Sequence, residues 1–291
     1  MIPNRTKKLL FYAAYICATG FFFIYYLFPS DACMRYVLYH LSRINSDVSA
    51  NVDRIVPVFP PGLKFKSVRL YYRQNPMIEA NAVRITPDIW SLFRPHTGFF
   101  LKGDACGGTI EGKVRIENDG KSRRIKFDGD LEGIEFGDID ALKTLYDQKI
   151  SGNLKGRVAG SISGGLMETM DADFQLSGCK VENQVPLLDL DAFIFHAIDI
   201  SLSVQQQNIQ LKNCMIRGNQ LDGSLSGGIT IKEPFSESVL NLRGSFRPHP
   251  EFTALMQKSL PFDMFQRKRS GTAQMPIGIA GTLGDPRLYL K

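Results

Sequence analysis

The sequence predicts a mainly β protein: a curved, largely antiparallel sheet of half-barrel or taco-like form, with one N-terminal transmembrane helix and a few short helices. Three observations carry this. The pattern Gly-x-[Ile/Leu]-x-Gly occurs five times, as GTIEG from Gly108, GDLEG from Gly129, GNLKG from Gly152, GSISG from Gly160 and GSLSG from Gly223. Period-two alternation runs through most of the remaining body, for example in KVRIEN, DADFQLSG, AIDISLSV and VLNLRGSF. Near the start, Leu9 to Phe28 is free of charge and long enough to cross about 30 Å of hydrocarbon as a helix.

Read as strands, the five copies place their glycines and the central Ile110, Leu131, Leu154, Ile162 and Leu225 on one side of the pleat, with polar residues on the other. Glycine inside a strand costs roughly 0.5 to 1 kcal/mol against alanine, so something must require so many. Sharp bending of strands or close approach of a backbone or ligand would do so. Those five aliphatic side chains are therefore the candidate lining of an apolar groove. The copies begin 21, 23, 8 and 63 residues apart, which excludes a fixed-period solenoid and favours a meander.

Taken from the N-terminus, the chain divides into a cytoplasmic flank and span (residues 1–28), a juxtamembrane helix and linker (29–62) and a β-rich body (63–291). Ten Leu, Ile and Phe residues in the span contribute about −3 to −6 kcal/mol to insertion. Arg5, Lys7 and Lys8 precede it and Asp31 is the first charge after it, so the short N-terminus stays in the cytoplasm and the body lies outside. A cleaved signal peptide, with Ser30 and Ala32 before the cleavage point, is the alternative; the apolar run is longer than a usual signal core, and Tyr25 and Tyr26 stand at the expected outer interface.

After the span, Met34, Val37, Leu38, Leu41 and Ile44 follow helical spacing, either on the outer leaflet or against the first strands. Pro57, Pro60, Pro61 and Gly62 break that helix. In the next strand Leu63 and Phe65 share one phase and Val68 and Leu70 the other, which predicts a bulge near Lys66 and Ser67. Further helices are expected over Asp138–Gln148 and Pro250–Leu260. Trp90, beside Ile89, Leu92 and Phe93, either caps one end of the core or anchors an interface with a partner or lipid.

Composition and motifs argue against an enzyme. Half of the formal charge of +6 belongs to the cytoplasmic flank, which leaves little for nucleic-acid binding. Arg267–Arg269 reads as a solvated turn, or as a contact for anionic lipid head groups or an acidic partner. The five cysteines have no metal-ligand spacing; Cys106, Cys179 and Cys214 in the body are buried thiols, or Cys179 pairs with Cys214. Gly107–Lys113 matches a phosphate-binding loop up to Val114, which stands where Ser or Thr is needed, and it alternates as a strand. The four histidines are scattered, the pairs Asp171/Asp173 and Asp189/Asp191 read as a solvated face, and no GxSxG elbow occurs. No catalytic, cofactor-binding or metal-binding residue is assigned.

The segments FPSDACMRYVLYHLSRINSDVSANVDRIVPVFPPGLKF, GGITIKEPFSESVLNLRGSF and MPIGIAGTLGDPRLYL carry a resemblance over nearly the whole chain. It resembles the type II secretion system protein N family and, more distantly, the AsmA-like proteins of Gram-negative envelopes. The closer pattern, GxIxIxxPxxxSxLxLxGxxxP, stands here as Gly228, Ile229, Ile231, Pro234, Ser238, Leu240, Leu242, Gly244 and Pro248. The resemblance implies a non-enzymatic inner-membrane protein with a periplasmic body, contacting the inner-membrane platform or the secretin of the secretion apparatus. The AsmA likeness implies instead an apolar groove that binds or transfers lipid. Neither implies a cofactor, a nucleic-acid partner or catalytic residues.

Overall fold

Fourteen strands pair in the order in which the chain makes them, every neighbour antiparallel, in one open sheet. The structure is a computed structural model and describes residues 4–44, 48–59, 61–72, 75–93, 96–118, 123–139, 149–164, 166–187, 190–259 and 274–290. Two helices come first, α1 (Asn4–Tyr26) and α2 (Ser30–Ile44). The sheet begins with β1 (Val48–Val58), β2 (Gly62–Tyr72), β3 (Asn75–Pro87), β4 (His96–Ala105) and β5 (Gly108–Asn118). It continues with β6 (Arg123–Glu135), β7 (Ile150–Ser163), β8 (Leu166–Leu187), β9 (Leu190–Gln205) and β10 (Asn208–Gly218). β11 (Leu221–Thr230), β12 (Val239–Pro248), the helix α3 (Pro250–Ser259), β13 (Met275–Thr282) and β14 (Pro286–Leu290) complete the chain.

A meander of this kind has two lips. The turns after odd-numbered strands lie on one, here the odd lip, and those after even-numbered strands on the other, the even lip. Short turns dominate because alternation of type and sign along each strand specifies one register and the next strand starts at once. At the β4–β5 hairpin Ala105 faces Gly108, and the two residues between them, Cys106 and Gly107, both take positive φ, at 47° and 75°. That is the backbone of a two-residue turn matched to strand twist. The near-match to a phosphate loop is thus a hairpin turn and the strand that follows.

The expected irregularity near Lys66 and Ser67 is present, with Ser67 at φ 49°. Its form differs from a bulge between β1 and β2. The apolar phase switches in all three first strands at the same level, from Val52 to Ile55, from Phe65 to Val68 and from Ala80 to Val83, while β1 and β2 stay in register. The slip appears one strand later, between Ala80 and Ala82 opposite β4. This switch also hid β1, which occupies most of the stretch expected to be linker.

α2 packs on the sheet: Phe28, Cys33, Met34 and Val37 lie against the buried Val52, Ile55 and Phe65. Of the two settings open to it, the strands are the one it takes, with Tyr36 and Tyr39 left exposed. α3 forms where expected, and its buried Phe252 meets Phe193 of β9 edge to face, ring centroids 5.9 Å apart. Phe136–Asp138 is a single 3-10 turn, and the rest of the helix expected over Asp138–Gln148 lies, beyond Ile139, outside the described residues, as does Arg267–Arg269. Among the described residues no helix is long and apolar enough to cross a membrane. Within α1 the side chains of Leu9, Leu10, Ala14, Cys17, Ala18, Phe21 and Ile24 are outside that set.

Candidate interaction surface

Antiparallel partners directly opposite each other project from the same face, so the register traces each face across the whole sheet. One transverse row starts at Ile55 and passes through Phe65, Val83 and Gly103 to Ile110 and Leu131. It continues through Gly156, Phe174, Ile200 and Cys214 to Leu225, Gly244, Ile277 and Leu290. The next row on the same face runs from Pro57, Leu63, Ile85 and Leu101 through Gly112, Gly129, Val158 and Ala172. It ends with Leu202, Leu211, Gly227, Leu242, Ile279 and Leu288. Neither row contains a polar side chain in any strand. At 4.7–4.9 Å per strand, this apolar track is about 60 Å long.

The five residues expected to line a groove all lie on this face. Ile110, Leu131 and Leu225 are members of the first row, Leu154 stands opposite Leu176 one level nearer the even lip, and Ile162 stands opposite Ile125 toward the odd lip. All five are half-buried. Deeper members of the face, among them Ile134, Ala172, Leu176, Leu240 and Leu242, are buried. Among the described elements α2, at the β1 end, and α3, at Phe193, lay residues over this face. A single sheet buries its own side chains in this way when it curls toward them.

Some glycines mark where a neighbouring strand leaves no room for a side chain. A Cβ at Gly156 would stand 2.5 Å from the Asp173 carbonyl oxygen and 2.5 Å from Cδ1 of Phe174, on the neighbouring strand. At Gly244 it would overlap the Ser224 carbonyl oxygen. A side chain at either position would therefore collide with the neighbouring strand. The glycines also alternate with large partners, Gly156 between Leu131 and Phe174, and Gly160 between Phe127 and Met170. Small opposite large is how a narrow curved interior is filled.

The opposite face is polar and cross-linked by exposed ion pairs between strands: Lys126 with Glu117 at 2.9 Å, Arg157 with Asp128 at 2.7 Å and Lys212 with Asp171 at 2.7 Å. Lys126 holds the Glu117 carboxyl below the usual range, chiefly through its hydrogen bond. Asp171 is thus an ion-pair partner on a solvated face, and the described residues contain no cluster of His, Cys, Asp or Glu able to hold a metal ion. Cys33, Cys179 and Cys214 are free thiols, and the Cys106 thiol donates to the Asp138 carbonyl at 3.6 Å. Cys179 and Cys214 lie on β8 and β10 with β9 between them, and burial pushes both thiols up.

Trp90 does not cap the core. It sits in a 3-10 turn, Ile89–Phe93, on the odd lip, and is 75% exposed. The turn is held from beneath by buried Asp88 and Ser91. The Asp88 N–H donates to the Gly98 carbonyl at 2.8 Å, Ser91 Oγ donates to the Asp88 carbonyl at 2.6 Å, and the Gly98 N–H donates to Ser91 Oγ at 2.9 Å. Lys113 Nζ closes the network on Asp88 Oδ2 at 3.1 Å. The polar members are inside and the aromatic ones outside, an inversion that helical or strand periodicity does not reveal.

The residues that carried the family resemblance prove to be a structural joint between the β11–β12 and β13–β14 turns. Ser238 is fully buried; its Oγ accepts from the Lys232 N–H at 3.1 Å and its carbonyl from the Leu283 N–H at 2.9 Å. Gly284 N–H donates to the Ser236 carbonyl at 2.8 Å. No protein-family model, no curated protein and no solved structure matches the chain.

Proposed function

We propose that this chain is a non-enzymatic component of a Gram-negative envelope, anchored in the inner membrane by Leu9–Phe28, whose concave periplasmic face holds the acyl chains of lipids. The observation that carries the reading is the pair of apolar rows unbroken from β1 to β14. A protein docking site needs polar groups to fix register, whereas a surface without one for about 60 Å suits a ligand that is itself only hydrocarbon. The anchor is supported by α1, on which Phe11, Tyr12, Ile16, Phe22 and Phe23 stand exposed along one side. An apolar helix face exposed in this way is stable where lipid covers it. α2 then seats the end of the span directly on the β1 end of the track.

The test is to extract the full chain with its surrounding lipid, delipidate it mildly and measure bound phospholipid by mass spectrometry. Leu131→Asp with Leu225→Asp places two carboxylates in the first row and is expected to abolish retained lipid, because an unpaired charge beside hydrocarbon is strongly disfavoured. Asn241→Asp, on the polar face, is expected to retain it. Equal retention in all three proteins, or none in the native chain, overturns the reading.

A second reading, a structural or assembly subunit of the type II secretion apparatus contacting its inner-membrane platform or secretin, is supported by the buried Ser238 joint, where the pattern shared with that family is concentrated. A deletion strain separates the two. Lost secretion of exported enzymes with an intact envelope favours the secretion role; normal secretion counts against it.

A further inference from the structure

Among the described residues, the most exposed large apolar side chains outside the helices stand mainly at turns of one lip. Phe59 (83% exposed), Ile89, Trp90, Phe93 (83%), Leu166 (76%) and Phe235 all belong to turns of the odd lip. Among the described residues Met77, Ile194 and Met215 stand exposed toward the even lip at 39%, 39% and 45%, and Phe100, Val239, Leu288 and Tyr289 are exposed within strands. The odd-lip residues stand at the turns after β1, β3, β7 and β11, so they form a line of separate knobs some 10 to 20 Å apart rather than a patch around a pocket. Such spacing is poorly matched to a protein hot spot, which is compact and enclosed. A planar lipid interface accepts it without any complementary shape, and Trp and Phe are the side chains suited to that depth.

From these positions we infer that the β1–β4 end of the odd lip lies on the phospholipid bilayer, with Phe59, Trp90 and Phe93 inserted at the boundary between head groups and acyl chains. The chain path supports this placement. Phe28, at the end of the proposed span, packs against the cluster built on Phe65, with Val83 beside it. From Phe65 and Val83 the strands β2 and β3 run directly to the turns that bear Phe59 and Trp90, four to five residues away, or about 13–17 Å. The knobs are therefore within reach of the membrane from which α1 would emerge. Ile89–Phe93 carries no charge, and the nearest acid, Asp88, is buried and paired with Lys113, so nothing anionic at the tip repels head groups. The hydrogen-bonded base beneath Trp90 holds the ring outward without further ordering on insertion. Docked in this way, the first strands of the track open beside the bilayer surface.

This placement rests on the anchored, lipid-holding reading, and the experiment separates the two. Trp90 is the single tryptophan of the chain, so indole emission reports on this turn alone. Full-length protein is reconstituted into vesicles of phosphatidylethanolamine and phosphatidylglycerol, floated on a density gradient and its fluorescence recorded. The expected result is a blue-shifted emission, efficient quenching by phospholipids brominated on the acyl chain, and iodide quenching several-fold weaker than for the chain unfolded in urea. Phe59→Ser with Phe93→Asp is expected to return the emission to that of a water-exposed indole while the protein still floats. Native protein that floats with Trp90 fully open to iodide overturns the docking and leaves the anchor standing. Protein that fails to float overturns the anchor and the docking together, and a blue shift that needs an added protein partner replaces the bilayer as the occupant.

Discussion

Alanine at Gly156 is expected to destabilise the protein, and alanine at Gly228 to stabilise it, although both glycines lie inside strands. Without the fold, each substitution gains about 0.4–1 kcal/mol by restricting the unfolded chain. In the fold the two sites differ. The Cβ at Gly156 meets the Asp173 carbonyl oxygen and Phe174 Cδ1 at 2.5 Å, and Asp173 is fixed between its partners Arg157 on β7 and Ser201 on β9, so the carbonyl has no room to retreat. Overpacking of this kind costs about 1–3 kcal/mol, leaving Gly156→Ala destabilised by roughly 0.5–2 kcal/mol. At Gly228, on the polar face, the nearest atom is Gln210 Oε1 at 3.7 Å, so the gain of about 0.4–1 kcal/mol is unopposed. Urea unfolding of the detergent-solubilised chain, followed by the far-ultraviolet β signal, reads both signs from the shift in midpoint. Shifts of the same sign would refute the claim that the crowding at Gly156, absent at Gly228, decides the effect of the added Cβ.

Two further outcomes follow from titrating groups. The Asp222 carboxyl is held below the ordinary carboxylate range, first by His249 Nε2 at 3.1 Å and then by Arg247. A depressed carboxylate stabilises the fold fully above its unfolded pKa, near 3.9, and loses that contribution as pH falls through the folded value. Hydrogen exchange of the α3 amides should therefore accelerate below about pH 4 in the native chain, and Asp222→Asn should show this fast exchange already at neutral pH. For Cys179 and Cys214, whose thiols burial pushes up, maleimide labelling at neutral pH should be much slower in the folded chain than in urea. Rapid labelling of the folded protein would show that their side of the sheet is open to water.

The face of the central aliphatic residue in each glycine copy could be read from the sequence because period two holds locally, although Gly133 falls at a register shift before Ile134, and Ile110, Leu131 and Leu225 reach one row despite their irregular spacing along the chain. The intervals vary because strands differ in length and Gly152 and Gly160 share β7, whereas Gly112 and Gly129 meet across a hairpin. β1 was not legible, since Asp53 stands at the level where three strands change phase together and no single-strand pattern survives it. The outward setting of Trp90 was hidden for a different reason: turn geometry, fixed by Asp88 and Ser91, decides which side of Ile89–Phe93 meets solvent. The grouping of knobs on one lip depends on strand parity, which emerges only once every hairpin has been counted.

Because each strand pairs only with those before and after it in the chain, the sheet behaves as a ruler whose graduations are hairpins. Removing any two consecutive strands from the middle would bring like lips back together, let the hydrocarbon rows rejoin and shorten the protein by about 10 Å. Inserting a pair would lengthen it by the same increment. The span of the sheet is thereby a quantity that duplication or loss of a hairpin can adjust in steps, without redesigning any part of the remainder.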